Sequence, residues 1–340
     1  MNLLNIDNDL FEKAAKIKTQ YVKNIVYFRG LIEYSNMCSK NCYYCGIRKD
    51  NKNILRYTMT DDEVIAAAEY AYQQGYGSIV LQGGEIESPV FTKKITSLLH
   101  KIMEVSNGKL GVTLSLGEQE RSVLKEWQQA GARRYLLRIE TSNKNLYSKI
   151  HPNDSKHSYD RRVETLDTLK FLGYQVGTGV MIGLPFQTLD DLENDLIFFK
   201  DKDIDMFGMG PYIEHSDTPL FQYQYNMMFS LQERFNITLN MIANLRIMMP
   251  NVNIAATTAM QAIDPCGREK ALQAGANIIM PNITPKKYRD KYLLYQNKPC
   301  LDEEREQCKS CLEMRIKLIG ENIGYGQCGD SLHFTRLTSL

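Results

Sequence analysis

The stretch Cys38-Ser39-Lys40-Asn41-Cys42-Tyr43-Tyr44-Cys45-Gly46 decides how this chain is read. Three thiols within eight residues can converge on one centre. They leave a tetrahedral ion one ligand short, and the next His and Cys along the chain are His100 and Cys266. Three thiolates do suit a [4Fe–4S] cluster with three protein-bound irons and a fourth open to an exogenous ligand. A zinc loop and free core thiols are the alternatives at this point.

Outward from the loop, the chain alternates. Residues 9–24 place Leu10, Phe11, Ala14, Ala15 and Ile17 at helical spacing, which predicts a lead-in helix. Ile25–Tyr34 is rich in β-branched and aromatic residues and runs as a strand into the loop. Thr60-Asp61-Asp62-Glu63 reads as a capping box opening a helix that ends before Gly75 and Gly77. Further strands are expected over 78–82, 111–116, 134–140, 175–182, 205–209, 253–257 and 277–280. Helices are expected over 92–105, 118–130, 160–172, 188–200, 231–249, 268–273 and 303–318. Eight strand–helix units imply a parallel sheet closed as a (β/α)8 TIM barrel. A six-unit partial barrel is the runner-up. The expected division is a lead-in helix over 1–24, the barrel over 25–320 and a tail over 321–340.

In such barrels chemistry sits at the C-terminal ends of the strands. Gly83-Gly84-Glu85 follows the second strand and Thr113-Leu114-Ser115-Leu116-Gly117-Glu118 the third. Arg138 and Glu140 share a face of the fourth by the period of two, a costly pair to bury without partners. A structural ion pair is the plainer reading of these two. Arg161 and Arg162 open the next helix, and Met181 lies near the end of the fifth strand. His215, after the sixth, reads as a hydrogen-bonding His rather than a ligand. Thr257, Thr258 and Met280 end the last two strands. Hydroxyls and methionines there suit a small polar or organometallic substrate, with Thr113, Thr257, Thr258 and Met280 as its expected contacts.

The spacing C-x3-C-x2-C, with an aromatic residue before the third Cys, resembles the signature of the radical S-adenosylmethionine (SAM) superfamily. The runs CSKNCYYCGIRKDNKN, RYTMT, TLSLGE, GLPFQT, GPYIEHSDTPL, NIAATTAM and AGANIIMPN resemble, within it, the HydE family of FeFe-hydrogenase maturases. The likeness runs over about residues 28–320. Methylornithine synthase and biotin synthase match the later runs less well. The resemblance implies a [4Fe–4S] cluster on Cys38, Cys42 and Cys45, with SAM on the open iron. It implies SAM contacts from Tyr44, Gly83, Gly84, Glu85, Ser115, Arg138, Glu140, Arg162 and Met181. It implies a 5′-deoxyadenosyl radical acting on a small iron-containing or organic substrate during assembly of the hydrogenase centre. A reduced donor such as ferredoxin or flavodoxin, and other hydrogenase maturation proteins, are the implied partners. Cys300, Cys308 and Cys311, spaced C-x7-C-x2-C, occur in some members as ligands of a second, accessory Fe–S cluster. A zinc site or a free surface group is the alternative, and Cys328 could join only if the tail folds back. An amino-acid carbon-skeleton mutase and a non-catalytic Fe–S/SAM scaffold are the rival functions.

The totals exclude several classes. A net charge of +1 gives no basic field for nucleic acid. No apolar run reaches the length of a membrane span, and the start of the chain is charged and helix-like rather than a signal peptide. Eight Cys in 340 residues do not make a disulfide scaffold, and their clustering points to ligation in a reducing cytoplasm.

Overall fold

The computed structural model describes residues 3–337, so residues 1–2 of the expected lead-in and 338–340 of the expected tail lie outside the described residues. Eight parallel strands form the frame: β1 Ile25–Ser35, β2 Ser78–Gly83, β3 Gly111–Ser115, β4 Ala132–Leu136, β5 Gln175–Thr178, β6 Met206–Phe207, β7 Asn253–Ile254 and β8 Ile278–Ile279. Each pairs with the next from β1 to β7, and β8 pairs with β1 through Tyr27↔Ile278 and Phe28↔Ile279. A bridge from Ala255 to Ile278 joins the end of β7 to β8 and closes the ring. The expected (β/α)8 barrel is therefore the observed fold.

The inward and outward faces follow from alternation. Val26, Phe28, Ile32 and Tyr34 of β1 are buried against the outer helices, as are Ile79 and Leu81 of β2 and Val112 and Leu114 of β3. Arg29, Leu31 and Glu33 take the other face, in register with Ser78, Val80 and Gln82. The helices start where their sequences say. Thr60, Thr188 and Ser230 each cap a helix whose third residue, Glu63, Asp191 or Glu233, bonds back to the cap. The last three strands keep only two residues each, and the fourth and fifth also end earlier than read. The fourth leaves the ladder after Leu136, and the fifth breaks after Thr178. Met181–Ile182 then pairs with Gly210–Pro211 as a separate extension above the barrel.

The barrel floor is sealed by the segment expected to be a tail. Asn322–Ile323 adds beside β1. The Gly329 carbonyl accepts from Arg29 and Asn253, Asp330 pairs with Arg134, and Ser331 N donates to Gln175. Arg134 is fully buried, and Asp330 is the carboxylate that makes this tolerable. Above the floor the interior opens. Leu31 and Leu136 point inward at mid-barrel yet are partly accessible, as are Gln82, Ser115, Arg138, Met181, Thr257 and Met280 nearer the rim. Their outward neighbours Ile32, Leu81, Leu114 and Leu137 are completely or almost completely buried. The space is thus inside the barrel and faces the strand ends that carry the cysteine loop.

Candidate active site at the cysteine loop

The loop after β1 is fixed by backbone bonds to three other segments. Ser39 N donates to the Glu85 carbonyl at 2.8 Å, Tyr43 N to Ile150 at 3.0 Å and Gly46 N to Leu294 at 3.0 Å. Arg56 staples it from within, its guanidinium donating to the carbonyls of Asn36, Ile47, Arg48, Lys49 and Asn51. His157 Nε2 accepts from Asn41 N at 2.9 Å while its Nδ1 faces Asp154, which assigns the ring proton to Nδ1. Tyr44 is edge-on to His151, with its hydroxyl 3.2 Å from Nε2. Burial drives His151 down to about 3, so that ring is neutral. His215 is buried too, and its Nδ1 accepts from Asp217 N, the hydrogen-bonding role expected of it.

The three sulfurs fit a cluster better than an ion. Among the described residues, Cys300, Glu303 and Cys308 are the metal-capable group whose ligand atoms all fall within 4.8 Å of one another. Cys38, Cys42 and Cys45 are not gathered that tightly, and three thiols around a wider space suit a cluster rather than a single ion. Burial pushes all three thiols up, Cys45 to about 12, with neighbouring Cys and carboxylate charge adding to it. They hold protons until a bound cationic centre displaces them, which is how thiolate ligation works.

Behind the loop lies a buried ionic network. Glu118, with no exposure, sits 2.9 Å from Lys40 Nζ and 2.6 Å from Arg162 Nε. The second contact is off the hydrogen-bond line and is an ion pair. Glu85 closes the circuit, 3.0 Å from Arg162 and 3.6 Å from Lys40, and accepts from Glu118 N at 3.2 Å. Burial alone would raise the Glu85 carboxyl, but Arg162 and Lys40 outweigh it and hold it well below the usual range. Arg161 is partly exposed; it pairs mainly with Glu87 at 2.8 Å and reaches the edge of the network, 3.8 Å from Glu118. The glycines have steric reasons. A Cβ on Gly84 would lie 2.2 Å from the Met37 carbonyl and 2.8 Å from Cys38 Cβ. Gly117, at φ +80°, leaves the place that the Glu85 side chain fills. Gly84 therefore seats the cysteine loop on β2.

Arg138 and Glu140 meet in a bidentate pair, Nε and Nη2 at 2.9–3.1 Å from the carboxylate, and Arg138 also donates to the Gly208 carbonyl. Strand alternation does not bring them together as expected. Glu140 lies beyond the ladder at φ +66°, a strained backbone held by bonds to Gly179 and Met181. Burial opposes the Arg138 charge, but Glu140 more than restores it. Both groups are felt at the loop: Glu140 and Glu85 raise Cys45, and Arg162 steadies Cys42. Cys38, Cys42, Cys45, Tyr44, Glu85, Arg138, Glu140 and Arg162 thus form one neighbourhood.

Of the remaining expected residues, Met181 touches this neighbourhood through its bond to the Glu140 carbonyl, and the others lie along the barrel wall. Ser115 and Met181 are partly accessible on the rim. Thr113 is buried lower in the barrel with its hydroxyl unpaired. Thr257 bonds to the Met209 carbonyl at 3.1 Å, Thr258 opens the short helix Thr258–Ile263, and Met280 is partly accessible. Of the second Cys group, Cys300 and Cys308 converge with Glu303, whereas Cys311 is exposed and bonds to Arg315. Cys328 is held at the floor by Arg134, at 3.0 Å, so the tail does fold back but not toward that group. Lys40, Arg56, Glu118, His151 and His157 were not expected site residues. Lys40 inside the cysteine motif and Glu118 directly after Gly117 were the available signals.

A closed parallel barrel with a three-cysteine loop on its first strand defines a class, the radical SAM enzymes. The family described as the Radical SAM superfamily matches residues 32–199. Within the class, the chain is 46% identical to the [FeFe] hydrogenase maturase subunit HydE of Thermotoga maritima, over 93% of this chain and 86% of that protein. It is 26% identical to the 3-methylornithine synthase of Methanosarcina acetivorans over 79% of this chain and 73% of that one. The crystal structure of methylornithine synthase superposes with a TM-score of 0.79 at 24% identity, covering 95% of this chain and 92% of that one. The chain belongs to the HydE family of radical SAM enzymes, and members of the superfamily bind a [4Fe–4S] cluster and SAM.

Gly84→Ala drives a methyl group into the Met37 carbonyl, so the purified variant should lose most of its iron after reconstitution. Gly83→Ala meets nothing closer than 3.3 Å and should keep it. Equal iron content in the two variants would show that Gly84 does not seat the loop.

Proposed function

We propose that this chain is a radical SAM maturase acting in assembly of the FeFe-hydrogenase active centre, on a small substrate inside the barrel. The observation that carries the reading is the 46% identity to HydE over 93% of the chain. The amino-acid mutase alternative rests on a fold likeness and 26% identity. When bound, the cluster and SAM supply reductive cleavage of the sulfonium carbon–sulfur bond and a 5′-deoxyadenosyl radical.

The chain's own part is positioning and exclusion. Cys38, Cys42 and Cys45 hold the cluster and leave one iron for SAM. Arg138 takes the SAM carboxylate and Glu140 the ribose or sulfonium end. Both are already desolvated and oriented, so little reorganisation is needed. Gly83, Gly84 and Glu85 carry the amino group of SAM on the backbone beside the loop, and Tyr44, Ser115, Arg162 and Met181 complete the contacts. Thr113, Thr257, Thr258 and Met280 face the substrate. The sealed floor keeps water and stray reactants from a carbon radical. A one-electron donor of the ferredoxin or flavodoxin kind, and other hydrogenase maturation proteins, are the partners in a reducing cytoplasm. No helix among the described residues is long and apolar enough to cross a membrane. A second cluster on Cys300 and Cys308 is compatible with this reading but not required by it.

The reconstituted protein should release 5′-deoxyadenosine from SAM under dithionite, and Cys38→Ala, Cys42→Ala or Cys45→Ala should each abolish it. Parental rates in any of the three would break the ligand assignment. Absence of cleavage in the cluster-loaded parent would favour a non-catalytic scaffold. Activation of apo-hydrogenase by the remaining maturation proteins should require this chain.

Arg138→Lys keeps the charge but loses the planar fork. It should weaken SAM binding about ten- to hundredfold, the range of one charge-assisted pair, with cluster content unchanged. Normal binding with a lower melting temperature would make the pair purely structural.

A further inference from the structure

The proposed chemistry needs electrons one at a time, and the fold restricts where they can enter. The floor meets β1 at Arg29, six residues before the strand ends at Ser35, roughly 20 Å from the loop at about 3.3 Å per residue. It is also sealed by the tail. Electron tunnelling falls off exponentially with distance, so the entry face is the one directly over the cysteines.

That face has a distinct chemistry. Lys49 and Lys52 are exposed on the cysteine loop itself. Lys149 and Lys156 are exposed on the segment clamped to it, through Tyr43 N on the Ile150 carbonyl and Lys40 Nζ on the Lys156 carbonyl. None of the four lysines has a carboxylate partner among the described residues. The acids nearby are already engaged: Asp50 by Asn41, Asp154 by His157 and Asp217 by Asn53. Arg48, held by Asn41, adds a fifth cation.

Between the lysines lies an aromatic step. Phe186 is 45% exposed although its backbone is held at φ +69°, a conformation that bulky residues rarely adopt. Lys149 lies 5.1 Å above its ring, and Tyr223 packs edge-on at 4.9 Å. Tyr223 ends the turn whose Leu220 N donates to the Tyr43 carbonyl, between Cys42 and Cys45. The ring is strained and 45% exposed, with Lys149 over one face and Tyr223 at its edge, and the other lysines lie on the neighbouring loop segments. Together they have the character of a small, electrostatically steered contact of the kind transient redox partners use.

We infer that the face formed by Lys49, Lys52, Lys149, Lys156 and Phe186 is the docking surface for an acidic one-electron carrier protein that reduces the cluster. The inference rests on the proposed radical SAM activity. The lysines provide attraction and orientation, and Phe186 provides the apolar centre of the contact. The partner's redox group is thereby brought over Tyr43 and the two cysteines flanking it.

The experiment compares two reductants on the cluster-loaded full chain: dithionite, and flavodoxin kept reduced by its reductase and NADPH. Dithionite-driven cleavage reports the proposed activity alone, so failure of that activity and failure of the docking surface are read separately. Lys149→Glu/Lys156→Glu and, independently, Lys49→Glu/Lys52→Glu should each lower flavodoxin-driven 5′-deoxyadenosine formation about tenfold or more at low salt. The dithionite rate should be unchanged. The parental flavodoxin-driven rate should fall as salt rises, and the variants should respond less. Unchanged flavodoxin-driven rates in both double variants would overturn the inference. An equal loss with both reductants would overturn it as well, because a docking surface cannot affect a reductant that does not dock.

Discussion

Glu118 is the charge on which the site depends. It is a fully buried carboxylate between two cations, Lys40 from the cysteine motif and Arg162 from the helix after β4. A carboxylate so placed is tolerable only with both partners present, and each partner needs it in return. The contact therefore ties three parts of the chain that are far apart in sequence: the loop after β1, the end of β3 and the start of the helix Tyr159–Phe171. Glu85 joins from the end of β2. The loop is thus held in place by the barrel rim, and its geometry does not depend on the cluster alone.

The inner wall of the barrel is graded. At the floor, Arg134 pairs with Asp330 and Arg29 donates to the Gly329 carbonyl, so the tail becomes part of the wall. In the middle, Leu31 and Leu136 are partly accessible, with Thr113 buried beside them. At the rim, the Arg138–Glu140 pair and the Glu85–Arg162 pair present opposite charges close together. A zwitterion carrying a carboxylate, an amine and a sulfonium finds complements only at the rim. A small substrate finds room only below it. The order of these layers puts a radical formed at the rim directly above whatever the middle holds.

Much of this was legible in the sequence. The alternation of strands and helices is a property of local patterning, and all eight barrel strands fall where the pattern puts them. The cysteine motif is short and contiguous, so its meaning survives without a structure. Long-range pairings were less legible. Nothing local marks Glu118 as the partner of Lys40, 78 residues earlier. The left-handed backbone of Glu140 is invisible to a rule of alternation, which brought Arg138 and Glu140 together by the wrong route. The role of 327–331 as a floor is equally non-local, because its partners Arg29, Arg134 and Gln175 lie on three different strands. That Gly84 also makes room for the chain's own loop, through Met37 and Cys38, is likewise a non-local fact.

The measurement that tests the account most directly is SAM binding to cluster-loaded Glu118→Gln, read beside its melting temperature. The substitution keeps the shape and removes the charge. Leaving Lys40 and Arg162 buried without it should cost about 3 kcal/mol of stability. With only Glu85 left to bridge the loop and Arg162, SAM affinity should fall about tenfold or more. A variant that melts lower yet binds SAM with the parental Kd would contradict the claim that this buried carboxylate organises the site.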